Sequence, residues 1–320
     1  MSDFASQENM QLPIEDVLRA ELAQGDIVLG TVAPILGHLV TNTANSLFND
    51  HIVAQIRGMA TSVARQLLSA EAVAAEETDP LTFIAARQER LATDLLADSA
   101  FLSHCHALTI EMQLAVRLER RSAIDPVLSP LLQALISSDD ADTASAAMAA
   151  LTAQARFVQQ HKRMELSIND VPGDQFHAAL LAWRNHAREG AETATEKAEA
   201  QLRSAYDEAS SRLGLLSRLV SGMGNGSLAA LSLSHAGVAI FLSALAKNAG
   251  QDRNLTALGT NDRQVGRLAL TLRAAGLTHD QVEEQFVYLH PDVVLPQGFD
   301  MLRTDRAAEI LAESATRTVG

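Results

Sequence analysis

The chain has 320 residues, 47% hydrophobic and only 4% aromatic, with a formal charge of −14. That length supports a sizeable core, and that hydrophobic content excludes wholesale disorder. The negative charge excludes a phosphate-backbone footprint, so no nucleic-acid partner is expected.

Residues 1–160 hold 20 acidic and 9 basic groups, whereas residues 161–320 hold 19 and 16. Twenty-two of the 25 basic residues are arginine; the lysines are Lys162, Lys197 and Lys247. With abundant alanine, this bias reads as the imprint of a GC-rich genome rather than as guanidinium chemistry. Alanine and leucine replace aromatic and β-branched residues, which favours helix over strand. A single cysteine, Cys105, precludes an intrachain disulfide and fits a reducing compartment. The opening MSDFASQENMQLP lacks the basic and apolar regions of a secretory signal, so a cytoplasmic location is expected.

Taken in chain order, residues 1–12 are expected to be disordered. Residues 27–49 carry no charge and contain Pro34, and they read as a packing partner for another apolar helix. After Asp50, a helix N-cap, residues Ile52, Val53, Ile56, Met59, Ala60, Val63, Leu67 and Leu68 recur at helical spacing. Asp79-Pro80 and Asp125-Pro126 each mark a helix start, with a further helix over 100–121 between them. Their separation of 46 residues suggests a HEAT-like helical-repeat character in the N-terminal half. Asp139, Asp140 and Asp142 precede an alanine-rich helix ending near Met164.

A turn-rich loop, SINDVPGD at 167–174, leads to a short helix carrying Phe176, Leu180 and Trp183. Residues 189–212 then read as one polar helix, and a domain boundary is placed near residue 190. Residues 219–246 carry no charged side chain and must be buried in something. Their length would cross a bilayer, but GMGNG, several serines, Asn225 and His235 argue against a span. Asn261 and Asp262 open another helix that Gly276 ends, and Thr278 to Gln281 forms a capping box for the next, stopped by Pro291 and Pro296. No alternating strand pattern is present. Residues 315–320 are expected to form a disordered tail.

The candidate sites are few. His104-Cys105-His106 fails as a metal site, because side chains two apart on a helix diverge and the next turn offers Leu108 and Ile110. The GMGNG loop lacks the Lys and Ser/Thr of a nucleotide cradle. His38 lacks the acidic neighbour of a phosphoacceptor histidine. His38, His177 and His235 are the only faintly suggestive catalytic groups, so no catalytic residue, metal or cofactor is assigned. Arg263, Arg267 and Arg273 cluster around one helix and could receive an acidic partner or a phosphate. Arg117, Arg120 and Arg121 form a second short basic spot, read as surface. Leu231, His235, Val238 and Leu242 would line any apolar pocket formed by the charge-free run.

Phe241 to Gly250 (FLSALAKNAG), Gly266-Arg267-Leu268 and Leu272 to Leu277 (LRAAGL) give residues 200–280 a resemblance to an all-helical domain-of-unknown-function family of alphaproteobacteria. Ile240-Phe241 and Ser243 depart from the family pattern. The resemblance implies a soluble helical bacterial protein and carries over no functional residue.

The expected fold is all-α, a multi-helix bundle with an N-terminal helical domain at 13–189 and a C-terminal one at 190–314. The expected function is a non-catalytic, cytoplasmic protein-interaction or regulatory module. The alternative is a small-molecule or lipid-binding protein with an apolar interhelical pocket. A protein partner and a two-fold homodimer are expected, and a membrane span is not.

Overall fold

The computed structural model describes residues 14–41, 50–186 and 192–318. It is all-α: 81% of it is helical, in fifteen α-helices joined by short 3-10 turns, with no strand among the described residues. The N-terminal stretch 1–12, residues 319–320 and the expected boundary near residue 190 lie outside the described residues.

α1 (Ile14–Thr41) is a long helix containing Pro34. α2 (Asp50–Ala74) follows the stripe read from its sequence, with Ile56, Met59, Ala60, Val63, Leu67 and Leu68 at 0–1% exposure. α3 (Pro80–Ala85) begins at Asp79-Pro80, where the Asp79 carboxylate accepts from Thr82 N at 3.2 Å. α4 (Gln88–Ala97) and α5 (Ser99–Ser122) come next.

Asp125-Pro126 does not open a helix. The Asp125 carboxylate accepts from Val127 N at 2.7 Å and Leu128 N at 2.8 Å, closing a side-chain turn instead. The helix starts later, as α6 (Pro130–Ile136), capped by Ser129. The two Asp-Pro pairs are therefore not equivalent starts of a repeated unit. α7 (Ala141–Lys162) is capped by Asp140, and α8 (Gly173–Arg184) buries Phe176, Leu180 and Trp183.

The single polar helix expected over 189–212 is broken. α9 (Glu192–Ala205) ends before Tyr206, whose ring stacks on Phe176 at 4.0 Å and whose hydroxyl donates to Val171 O at 2.8 Å. Asp207 and Ser211 then cap a 3-10 turn and α10 (Arg212–Gly222) in succession. The charge-free run is divided as well. A 3-10 stretch at Gly224–Leu231 precedes α11 (Leu233–Ala249), which is kinked at Gly237, where φ is +69°. A side chain there would be strained and would meet Ser129 Cβ at 2.9 Å. No described helix is long and apolar enough to cross a membrane.

The remaining helices are α12 (Arg253–Leu258), α13 (Val265–Ala274), α14 (His279–Leu289) and α15 (Thr304–Thr318). α14 has the expected capping box. α15 continues through Thr318, past the expected start of a disordered tail at 315.

Two buried helices organise the packing. α2 is surrounded by α1, α3, α4, α5, α8 and α9; α11 is surrounded by α5, α6, α10, α12 and α13. α5 touches both groups. α1 runs back against α13 and α15, so Leu18 and Leu22 enter the core beside the C-terminal helices. Buried residues from Leu18 to Leu311 belong to a single hydrophobic cluster that crosses residue 190.

Candidate functional site

Three buried charge networks tie the helices together. Glu111, on α5 and 2% exposed, receives Arg212 from α10 and Arg253 from α12. Two Arg253 nitrogens donate to its two oxygens, each at 3.0 Å. Arg212 Nε donates to Gln154 Oε1 at 2.7 Å, and Arg253 Nε to Ser243 Oγ at 3.0 Å. The Arg212 guanidinium also lies 3.8 Å from the centroid of the Phe157 ring. Burial pushes the Glu111 carboxyl up, but the two guanidiniums outweigh it and hold it at about 2. So acidic a carboxylate, with both oxygens engaged, is a poor proton acceptor.

The second network centres on Glu71 of α2, which accepts from Arg87 at 2.8 Å and from Trp183 Nε1 at 2.8 Å. The third joins Arg267 of α13 to Asp26 of α1 and to Ser314 of α15.

Arg263, Arg267 and Arg273 are thus not brought together as one docking surface. Arg267 is 4% exposed and turned inward. Arg273 donates to the carbonyls of Leu302 and Leu277, both at 2.6 Å, and so closes the connection between α13 and α15. Arg263 alone is exposed, in the 3-10 turn before α13.

Leu231, Val238 and Leu242 are buried in the core, and His235 is half-buried at the first turn of α11. The cavity bordering Val238 has only about 10 Å³, room for one water at most. His177 is exposed and its Nδ1 accepts from Arg203 at 3.1 Å; the His38 side chain lies outside the described residues. His104 is fully buried, with Nδ1 3.1 Å from Asn254 Oδ1, and burial lowers its pKa to about 4. Burial pushes the Cys105 thiol far up, leaving it unreactive. At the start of α14, His279, Asp280 and Glu283 bring one ligand atom each within 4.8 Å of one another; Asp280 and Glu283 are exposed. No sequence pattern singled out that trio; Asp280, in the first turn, is stabilised by the helix dipole, and Glu283 lies 3.4 Å from His279 one turn on.

Two larger clefts are open. A polar one of about 850 Å³ is bordered by Asp170, Asp174, Glu208 and Asp252, with Lys247 and Arg253 as its cations. The other, of about 470 Å³, lies between the second half of α1, the start of α2, the middle of α5 and the turn before α13. Val28, Leu29, Val32, Ile35 and Leu36 of α1 face Ile52, Val53, Ile110 and Leu258 across it. Among the described residues, Arg263 is the one permanently charged residue on its lining, accompanied by His106, Asn261 and Gln264. Ile35 is 55% exposed there. Of the two charge-free runs, only the first borders this cleft.

Sequence reading missed the Glu111 and Glu71 networks. The visible signal was a lone acid in an apolar stretch, ALTIEMQLAV for Glu111; no local pattern marks Arg212 or Arg253 as its partners.

Comparison of the chain with protein-family models, curated proteins and solved structures finds no match.

Proposed function

We propose that this protein is a non-catalytic, cytoplasmic interaction or regulatory module, and that the cleft formed by α1, α2 and α5 is its binding surface. One observation carries the reading: the interior charges are paired, while a cleft of nine apolar residues opens along α1 beside one exposed cation, Arg263. The occupant that fits is an amphipathic helix of a partner protein. Its apolar face would lie on Val32, Ile35 and Ile110, and an acidic side chain would reach Arg263. Apolar contact area provides the affinity and the cation sets the orientation.

The test is affinity capture from the native host with wild-type protein, Ile35→Glu, Arg263→Glu and a distant control, Leu81→Glu. A stoichiometric partner held by wild type and control, and lost from both cleft variants, supports the reading. A partner retained by both cleft variants contradicts it.

A second reading is favoured by the cleft volume, which falls within the range of small-molecule pockets. An amphipathic anion with an acyl chain would place its chain against α1 and its head on Arg263. Extraction of purified protein for bound lipids separates the two readings.

A further inference from the structure

We propose that a second cavity, between the start of α2, the second half of α5 and the end of α7, is a binding site for a small organic phosphate of nucleotide size. The cavity holds about 590 Å³, within the range of small-molecule sites. Its lining includes Arg117, Arg120 and Lys162 and, among the described residues, no carboxylate. That is unusual on this chain, where the polar cleft is rimmed by four acids and residues 1–160 carry 20 acidic groups against 9 basic.

The cations are also uncommitted. Several exposed arginines elsewhere pair with acids, as Arg65 and Arg163 do with Glu165, and Arg303 with Asp305. Arg120 and Lys162 have no such partner among the described residues, and Arg117 reaches only the Leu289 carbonyl, at 3.5 Å. Cations that line one cavity without acid partners repel one another until an anion joins them.

The floor of the cavity is polar and buried. Gln55 and His161 are 3% and 5% exposed. Gln55 Nε2 donates to the His161 carbonyl at 3.2 Å and so caps the end of α7. Gln55 Oε1 and His161 Nε2 have no hydrogen-bond partner among the described residues, and buried polar atoms ordinarily have one. His51 and Gln55 occupy the first two turns of α2, whose positive dipole end adds to the attraction for an anion.

One wall is apolar. On α5, Gln113, Arg117 and Arg120 share a face, and Met112 and Val116 flank it; Met164 faces them from beyond α7. Bare phosphate would leave that wall unused. A ring fits it, since methionine sulfur makes favourable contacts with aromatic edges.

Isothermal titration calorimetry on the full chain tests the site with ADP, inorganic pyrophosphate and adenosine as probes. The expected result is saturable 1:1 binding of ADP, weaker binding of pyrophosphate and adenosine, and loss of affinity with added salt. The exposed double variant Arg117→Gln/Arg120→Gln should weaken ADP by about tenfold or more, with helicity unchanged by circular dichroism. Lys197→Gln, away from the cavity, should bind as wild type does. No saturable ADP binding, ADP binding unchanged in the double variant, or pyrophosphate binding as tightly as ADP would each overturn the proposal.

Discussion

At Glu111, a carboxylate and the Arg212 guanidinium meet at 2% exposure, the less buried Arg253 joins them, and every terminal group is hydrogen-bonded. Removing one member leaves the others buried and uncompensated, which costs more than the intact network contributes. Glu111→Gln is expected to lower stability by about 3–5 kcal/mol, measured as a fall in the urea midpoint; a loss within error of zero would mean that water reaches the arginines. His104 sets a pH dependence. Unfolded, its imidazole protonates below about pH 6.5; folded, burial holds it neutral down to about 4, against the opposing hydrogen bond that Asn254 Oδ1 accepts. Between those values the unfolded chain binds the extra proton. Stability is therefore full above pH 6.5, falls as pH drops through that window and levels off below about 4. The shift corresponds to about 3 kcal/mol, and His161 acts in the same direction. Urea midpoints at pH 7.5 and pH 5 check this, and His104→Gln should flatten the slope.

Among the elements, those whose signal is local were legible in the sequence. Asp79-Pro80, Asp140 and the Thr278–Gln281 box cap the helices assigned to them, because a side-chain acceptor three residues from a free N–H acts without tertiary help. Asp125-Pro126 misled because the same acceptor can close a turn as readily as a helix. The break at Tyr206 depends on stacking against Phe176, thirty positions earlier, and α12 is too short for its period to be read. Arg263 and residues 27–36 of the cleft stood out by charge and by its absence. Glu111 and its partners did not, being 101 and 142 residues apart in sequence. Helix packing also makes two similar glycines behave oppositely. A Cβ at Gly58 would lie 2.5 Å from Met164 Cβ and 2.7 Å from its carbonyl, whereas at Gly30 it meets nothing within 4 Å. Gly58→Ala should destabilise by about 1–3 kcal/mol, and Gly30→Ala should stabilise by up to about 1 kcal/mol. Thermal midpoints moving in opposite directions would confirm the close approach of α2 to the chain beyond α7; equal shifts would contradict it.

In the whole molecule, α1 is held against the helices near the C-terminus. Arg306 of α15 pairs with Glu15 at 2.7 Å, Arg19 with Glu313 at 3.3 Å, and Arg267 with Asp26. With one hydrophobic cluster running from Leu18 to Leu311, the buried Trp183 and the helices near the C-terminus should unfold together. Tryptophan fluorescence and circular dichroism should give coincident urea transitions; separated transitions would mean two independent folding units. The same arrangement anchors the first part of α1 and presents its second half as one wall of the apolar cleft, which places the proposed binding surface on a fixed frame. The most direct test of that surface is photo-crosslinking in the native host, with a benzophenone amino acid at position 35 and, as control, at exposed position 81. The expected result is a discrete protein adduct from position 35 that is absent from position 81 and is lost when Arg263 is replaced by Glu. The same protein adducts from both positions, or none from position 35, would contradict it.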